Sequence, residues 1–499
     1  MCPLFLRRLY AHMKTPRTPN RRFFFFSIVC LITLFATAAF SQTVEKKPTP
    51  TPERSREIVS LLNDARLAAP ELGVDTFLKV VESKKVTDPV WRKEILDEAL
   101  RMIEDVKNPI RLHSVQIRGV ILNDTEAYGT AAANLQKLDR LSLKSRIITL
   151  LVDRDSERAK QLVFEMGGQL GLKPRSCKDN LTYDVADIYA AVGMVAKSVF
   201  SEKQIVEGQR ALFVTPWLEN IDSPTQILPA LDLLDQIQGS LAERQILFNA
   251  LSGSINRDFK DDRSFTNVLS WGGGPGAKVG KLISGEADPL TTDLNLAYRE
   301  FLLKNLHGKR CKDNEIIKDE PLPKFIETAN KLLPQKLLTV DDIMTSEFDD
   351  TGKFVDILAR SDSLQKLKQE LMPLKGKVVD NKIVNDSGPE WESRVVQFIE
   401  KVVAWEGSNN ETESETFFVK IGMFESMIES IDNGELKKSV MQKYLRFLAG
   451  SPMQKDRFIE WLFWVREQER RNPDLFAVLA SEFPNPNLKV MLATKKLGL

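Results

Sequence analysis

Two cysteines in matching four-residue segments are the residues of this chain best suited to covalent or metal chemistry. Cys177-Lys-Asp-Asn180 and Cys311-Lys-Asp-Asn314 are identical in sequence. In an oxidising compartment two such thiols pair, so a disulfide between Cys177 and Cys311 is the leading prediction. Two separately buried thiols are the first alternative. A metal site is the second, because His307 lies four residues before Cys311 and therefore on the same side of a helix.

Histidine is scarce, and this scarcity argues against several kinds of catalytic centre. The chain has three histidines, of which only His113 and His307 follow residue 41. A serine–histidine–acid triad and a His-Glu-x-x-His zinc motif both need histidine at defined spacing. The Gly-x-Ser-x-Gly motif of a serine hydrolase is also missing from the sequence. We therefore assign no catalytic, cofactor-binding or metal-binding residue, and we expect no cofactor.

Two segments resemble ligand-binding loops but depart from the required patterns. Trp271–Lys281 is rich in glycine, yet Pro275 and Leu282 stand where a phosphate loop needs Gly and Ser or Thr. This segment is predicted to be a flexible loop or a hinge between domains. Glu347–Gly352 resembles the start of a calcium loop, but Leu358 stands where a bidentate Glu is needed. An acidic, solvated turn is the resulting prediction.

The N-terminus has the pattern of an export signal. Arg21-Arg22 precedes a mostly apolar run, Phe23–Phe40, and small residues surround its end at Ser41. This order of parts is typical of a secretory signal peptide, which predicts residues 1–41 as the signal. An uncleaved N-terminal anchor is the alternative, because about 20 apolar residues span a bilayer. Residues 42–54 are predicted to form a Pro-rich spacer.

Composition limits the size of the domains and the kinds of partner. The 499 residues carry 70 Lys and Arg and 69 Asp and Glu, a formal net charge of +1. Six of the basic residues and none of the acidic ones fall in residues 1–41, so the remainder has a net charge of −5. A mildly acidic chain has no electrostatic footprint for nucleic acid. We expect a membrane contact only if the N-terminal helix is uncleaved.

After residue 54 the sequence is helical nearly throughout. Apolar residues recur every three or four positions from Trp91 to Val106 and from Trp391 to Trp405. Asp88-Pro89 predicts the start of the first of these helices. The fold class is predicted to be all-α, with irregular stacked helical hairpins in a solenoid-like arrangement.

Near the C-terminus, Asn472-Pro473 is predicted to start the last clear helix, and Pro484 and Pro486 are predicted to close it. The aromatic clusters Trp461–Trp464 and Phe417-Phe418 are predicted to belong to the core, because aromatics at helical spacing usually pack inside.

One segment resembles a known repeat. Leu141–Leu151 is an amphipathic helix, Asp153–Arg158 makes a turn, and a small residue, Ala159, comes early in a second helix. The segment 141–165 resembles a tetratricopeptide-type hairpin. The elements Arg299–Cys311 and Tyr444–Leu448 resemble exported helical bacterial proteins with no assigned activity. Those resemblances imply export and helix, and they imply nothing about mechanism.

Breaks in the helical pattern predict two or three helical subdomains. Their boundaries are placed at 55–315 for a helical domain, 316–385 for a helical middle region and 390–499 for a C-terminal helical domain.

These observations favour an exported binding or scaffold protein of the cell envelope, periplasmic or secreted, with a protein or peptide partner. A carboxylate-based hydrolase or lyase acting on cell-wall polymer is the first alternative, and a purely structural envelope protein is the second.

Overall fold

The computed structural model describes residues 54–107, 110–114, 125–174, 181–237, 239–255, 293–294, 296–298, 300–301, 362–375, 377–379, 382–384, 388–407 and 413–499. Its helices are α1 (Arg56–Leu67), α2 (Pro70–Glu82), α3 (Pro89–Met102), α4 (Thr125–Asn134), α5 (Arg140–Val152), α6 (Ser156–Met166), α7 (Ala186–Ser198), α8 (Glu202–Val206), α9 (Gln209–Glu219), α10 (Ile227–Gln236), α11 (Leu241–Ile255), α12 (Asp362–Leu371), α13 (Pro389–Ala404), α14 (Glu413–Ser430), α15 (Gly434–Gly450), α16 (Met453–Asp456), α17 (Phe458–Arg471), α18 (Pro473–Ser481) and α19 (Pro486–Lys496). Short 3-10 turns occupy Ile103–Asp105, Pro224–Gln226 and Met372–Leu374.

Short polar side chains begin many of these helices by accepting hydrogen bonds from backbone N–H groups that have no partner in the helix. Asp88 Oδ1 accepts from Val90 N at 3.0 Å, and Pro89 occupies the first turn of α3. Asp139 Oδ1 accepts from Ser142 N at 3.0 Å at the start of α5. The start of α3 predicted from Asp88-Pro89 is therefore confirmed, and the apolar face of that helix is buried as its spacing predicts.

The fold is all-α in class, and the described part of the chain adds two small antiparallel sheets of two strands each. Strand β1 (Arg111–Ser114) pairs with β2 (Leu181–Asp184), and Arg111 lies opposite Asp184 in the register. Strand β3 (Lys377–Val379) pairs with β4 (Lys382–Val384). The first sheet joins segments about 70 residues apart in the chain, so no local turn motif in the sequence predicts the pairing.

In the N-terminal half, helices pack against the next helix in the chain or against the one after it. Contacts join α1 to α2, α2 to α3, α5 to α6, α5 to α7, and α9 to α11. The predicted hairpin at 141–165 is observed as α5 and α6, with Asp155 capping α6 and Ala159 fully buried. Whether this pair belongs to the tetratricopeptide family stays a prediction.

The two ends of the helical part also meet. Helix α19 packs against α1 and α2, and α17 packs against α4. Residues from Arg54 to Leu499 form one compact unit, in which helices near both ends of the chain share a core. The subdomain boundaries proposed from the sequence stay predictions, because most of 256–361 lies outside the described residues.

The aromatic clusters lie in the core, as the sequence predicted. Phe417, Phe418, Trp461 and Trp464 are all buried. The ring planes of Phe417 and Phe418 meet edge to face, with centroids 5.2 Å apart. These rings hold the C-terminal helices together and leave little aromatic surface for a ligand.

One sequence prediction about the C-terminus is wrong. The helix from Pro473 ends at Ser481, but it is not the last, because α19 follows from Pro486 to Lys496. Pro486 occupies the first turn of α19 and Asn485 caps it, so Pro486 starts a helix and does not close one. This correction matters, because α19 forms one wall of the site described next.

Candidate functional site

A cleft of about 310 Å³ lies where α2, α17 and α19 meet. Its size is at the lower end of the range of small-ligand sites, which begins at roughly 300 Å³. Each of the three helices contributes lining residues. These are Leu72, Thr76, Lys79, Arg466, Glu469, Arg470, Met491, Thr494, Lys495 and, after the end of α19, Leu499.

Helix α2 presents Leu72, Thr76 and Lys79 because residues four and three positions apart lie on one face of a helix. Its start is anchored by α19, since the Asn487 side-chain oxygen accepts from the backbone N–H of Ala69 at 2.8 Å. Helix α2 also runs very close to α1. A Cβ placed on Gly73 would lie 2.7 Å from the carbonyl oxygen of Ala65, so the close approach requires glycine.

Helix α17 presents Arg466, Glu469 and Arg470 by the same spacing. The helix is fixed at its buried face by Trp461, whose ring N–H donates to the carbonyl of Leu448 at 2.8 Å. Arg466 is held from the side by Gln136, whose side-chain oxygen accepts from Nη1 at 2.6 Å. The Arg466 guanidinium is therefore positioned before any ligand arrives.

Helix α19 contributes Met491, Thr494 and Lys495. It is tied to α1 by Lys489, whose Nζ lies 2.7 Å from Asp64 Oδ1. The third wall of the cleft thus depends on packing between residues more than 400 positions apart in the chain.

A buried carboxylate, Asp75, lies outside the lining and pairs with two of the lining cations and with Arg146. Its side chain is only 5% exposed. Lys79 Nζ lies 3.0 Å from Oδ2, Arg146 Nη1 lies 2.7 Å from Oδ1, and Arg466 Nη2 lies 3.4 Å from Oδ2. Three cations from α2, α5 and α17 therefore converge on one carboxylate.

Burial raises the pKa of the Asp75 carboxyl, but the charges of Lys79, Arg466 and Arg146 and a hydrogen bond from Arg146 outweigh it. The pKa of Asp75 therefore lies below its ordinary value. The guanidinium of Arg146 also pairs with both oxygens of Glu82, at 2.5 and 2.6 Å. Asp75 stays ionised and holds α2 and α17, two walls of the cleft, against α5.

The lining is rich in cationic side chains, and each of them has a carboxylate partner. Asp75 pairs with Lys79 and Arg466, Glu467 pairs with Arg470, and Glu469 pairs with Lys495. Four of the lining side chains are cationic, Lys79, Arg466, Arg470 and Lys495, and one is a carboxylate, Glu469. Apolar surface from Leu72, Met491 and Leu499 completes it. Such a lining suits an anionic group attached to an apolar one, because charged donors bind carboxylates or phosphates strongly.

A second carboxyl, Glu425 on α14, is partly buried and lies in a different setting. Tyr444 Oη donates to its Oε1 at 3.2 Å, and the side-chain amide of Gln468 donates to the same oxygen. Arg471 Nη1 lies 2.5 Å from Oε2. Burial raises the pKa of Glu425, and the single charge of Arg471 does not reverse the shift.

Two other buried ion pairs join elements away from the lining of the basic cleft. Arg210 on α9 forms two hydrogen bonds to Glu243 on α11, at 2.7 and 2.6 Å. Arg111 on β1 pairs with Asp184 on β2 across the sheet. We interpret both as structural links, because each connects neighbouring elements and neither lines the basic cleft.

The site residues nominated from the sequence are not among the residues that the structure describes. Cys177 and Cys311, with His307, lie outside the described residues, so their disulfide, thiol and metal alternatives all stay predictions. The same holds for Trp271–Lys281 and Glu347–Gly352. Within the described ranges there is no group of three or more His, Cys, Asp or Glu that could hold a metal ion.

No helix among the described residues combines the length and the apolar character needed to cross a bilayer.

Sequence reasoning did not identify the cleft residues. The i,i+4 pairs Asp75–Lys79 and Arg466–Arg470 were visible as ordinary surface spacing, but nothing local indicates that they face each other. The cleft appears only when α2, α17 and α19 are packed together.

Compared with models of protein families, with curated proteins and with solved structures, the chain matches none of them. The function must therefore be argued from the cleft itself.

Proposed function

We propose that this chain is an exported, helical binding protein of the cell envelope that takes an anionic group of a protein or peptide partner into the basic cleft. The observation that carries the proposal is the lining itself, in which four cationic side chains and one carboxylate stand beside apolar surface. Asp75 and Glu467, the partners of three of these cations, lie outside the lining. Sites with a few convergent polar groups in an apolar surround are the usual binding sites of proteins.

The envelope location in this proposal rests on the export signal at residues 1–41. A periplasmic or secreted protein follows from cleavage after the apolar run, and a membrane-anchored one follows from retention of that run.

The hydrolase alternative would need two carboxyl groups facing one cleft, about 5 to 10 Å apart. Among the described residues that line the basic cleft, Glu469 is the single carboxylate. Binding is therefore the function that this cleft supports better. The ion pairs of the lining also serve a structural role, because they join α2, α5, α17 and α19, and a peptide titration separates that role from binding.

A titration with charged peptides tests the proposal. The probe is an N-acetylated, fluorescein-labelled hexapeptide of alternating Glu and Leu, and the comparison probe has Lys in place of Glu. We expect the acidic peptide to bind with 1:1 stoichiometry and the basic peptide not to bind. Raising the salt from 50 to about 500 mM weakens the complex, because the Debye length shrinks well below 10 Å.

Charge reversal locates the binding site. Arg470→Glu and Lys495→Glu should each weaken binding of the acidic peptide, by up to about fivefold, since an exposed ionic contact contributes up to about 1 kcal/mol. Lys203→Glu is the matched control, because Lys203 on α8 is exposed and does not line the cleft. Equal affinity of all three variants and wild type would contradict the proposal.

Mass spectrometry of the protein recovered from cells tests the export part. An intact mass lacking residues 1–41 is expected. Without reductant, a mass 2 Da below that of the two free thiols would support a Cys177–Cys311 disulfide. A full-length chain recovered from the cytosol would contradict the envelope assignment.

A further inference from the structure

We propose that Glu469 makes the cleft selective for acidic peptides, which carry N–H donors beside their carboxylates, over phosphate-type anions. This inference rests on the proposed binding function and adds the chemical class of the ligand. It concerns the one lining carboxylate, which a site built for anions alone would not need.

Glu469 is placed where a ligand can reach it. Its side chain is 17% exposed, and its Oε1 lies 3.2 Å from Lys495 Nζ. Lys495 is the more exposed partner, at 51%. A long, half-exposed lysine can turn toward an anion at little cost. Its movement would leave Glu469 as a hydrogen-bond acceptor facing the ligand.

The two hydroxyl groups of the lining have already used their hydrogens. Thr76 Oγ1 donates to the carbonyl of Leu72 at 2.7 Å, and Thr494 Oγ1 donates to the carbonyl of Val490 at 2.7 Å. Neither hydroxyl has a hydrogen left for an anion. The neutral polar side chains of the lining therefore cannot add donors to those of the cations.

Phosphate and polyphosphate offer acceptor oxygens around most of their surface. In the cleft some of those oxygens would face Glu469, and juxtaposed like charges are strongly unfavourable. An acidic peptide places its carboxylate among the cations and turns a backbone N–H toward Glu469. Its apolar side chains can also cover Leu72 and Met491, which phosphate cannot do.

Specificity of this kind comes from an unfavourable contact with the wrong ligand as well as from a favourable one with the right ligand. Glu469 supplies both, because the same carboxylate repels phosphate oxygens and accepts from a peptide N–H.

Competition against the labelled acidic peptide tests the inference. The competitors are the unlabelled peptide, inorganic phosphate and tripolyphosphate, all at one ionic strength. For wild type we expect the peptide to compete at least about tenfold better than either phosphate probe. In Glu469→Gln the apparent affinity for tripolyphosphate should rise about tenfold, while the affinity for the peptide falls or stays constant.

Two further variants serve as controls. Glu435→Gln makes the same charge change on α15, which does not line the cleft, and should leave the selectivity at the wild-type value. Glu469→Asp keeps the charge and should keep the discrimination against tripolyphosphate. Thermal unfolding of each variant shows whether it is folded.

The outcomes separate the two proposals. If neither the peptide nor any phosphate probe binds the wild-type protein, the proposed function fails. If the peptide binds but phosphate competes equally well, or if Glu469→Gln leaves the selectivity unchanged, the inference about Glu469 fails alone.

Discussion

Asp75, which is buried, and Glu425, which is partly buried, are both in contact with side chains from α17, yet their surroundings shift the pKa in opposite directions. Asp75 is surrounded by three cations, Lys79, Arg146 and Arg466. Glu425 has one cation, Arg471, and two neutral donors, Tyr444 and Gln468. The pKa of Asp75 lies below its ordinary value and the pKa of Glu425 lies above it.

The difference shows that burial alone does not decide what a carboxyl group does. Burial raises the pKa of both groups, and the charges of their neighbours separate them, with three cations beside Asp75 and one beside Glu425. At Glu425 the nearby carboxylates Glu429 and Glu467 add to the shift upward. Asp75 is therefore a charged anchor behind the basic cleft, whereas Glu425 belongs to a hydrogen-bonded core network.

Replacing the anchor should have the largest effect on stability. Asp75→Asn removes the negative charge and leaves three cations facing one another, so we expect a loss on the order of 3 kcal/mol in the free energy of unfolding. Urea denaturation at pH 7 measures it. Asp64→Asn is the control, because Asp64 pairs with Lys489, which is largely exposed, and should cost less than about 1 kcal/mol. If Asp75→Asn costs no more stability than Asp64→Asn, Asp75 is not the charged anchor described above.

Glycines near the two carboxyl groups sharpen the comparison. Gly73→Ala places a Cβ 2.7 Å from the backbone oxygen of Ala65, which cannot move easily, so we expect a loss of about 1 to 3 kcal/mol. Gly422→Ala places a Cβ 2.8 Å from Thr125 Oγ1, a side-chain atom that can rotate away. The better helix propensity of Ala then offsets most of the contact, giving a change below about 1 kcal/mol. Thermal unfolding of the two variants measures both losses. A larger loss in Gly422→Ala than in Gly73→Ala would contradict the packing described for α2.

Neutralising Glu425 should cost little. Glu425→Gln removes a partly buried charge, which is favourable, and loses the pairing with Arg471, which is one-third exposed. The two effects oppose each other, so we expect a change below about 1 kcal/mol at pH 7. Urea denaturation measures it beside Asp75→Asn. Equal losses in the two variants would mean that the number of neighbouring cations is unimportant.

The pH dependence of these variants should differ in sign. The contribution of Asp75 to the free energy of unfolding is complete above the unfolded pKa of about 3.9, and it is lost as the pH falls through the lower native pKa. The difference in free energy of unfolding between wild type and Asp75→Asn should therefore become smaller at acid pH. The contribution of Glu425 to the free energy of unfolding is present below about pH 4.3, and it is lost as the pH rises through the raised native pKa. The stability of Glu425→Gln relative to wild type should therefore increase as the pH rises.

Urea denaturation of the three proteins between about pH 3 and pH 8 checks both slopes. Parallel curves for the two variants would show that the two carboxyl groups titrate alike in the native state.

Local signals in the sequence predicted much of the helical architecture. Asp88-Pro89 marks the start of α3, and the apolar spacing from Trp391 to Trp405 matches α13. These features depend on residues within a few turns of one another. The same reasoning failed at Pro486, because a proline after a helix also suits the first turn of the next helix.

The cleft could not be predicted, for a physical reason. Lys79 lies near the start of the helical part, and Arg466 and Lys495 lie near its end. Nothing within either segment encodes their meeting, which depends on contacts such as Asn487 with Ala69. The pairing of β1 with β2 was missed for the same reason, since each strand has four residues and its partner is far away in the chain.

Photo-crosslinking tests the central claim, that the basic cleft receives an acidic peptide, most directly. A Glu-Leu hexapeptide carrying a photoreactive leucine analogue is irradiated with the wild-type chain, and the adducts are mapped by mass spectrometry. The account predicts adducts on α2, α17 and α19, near Leu72 and Met491, that disappear when unlabelled peptide is in excess. Competable adducts confined to other helices would contradict it.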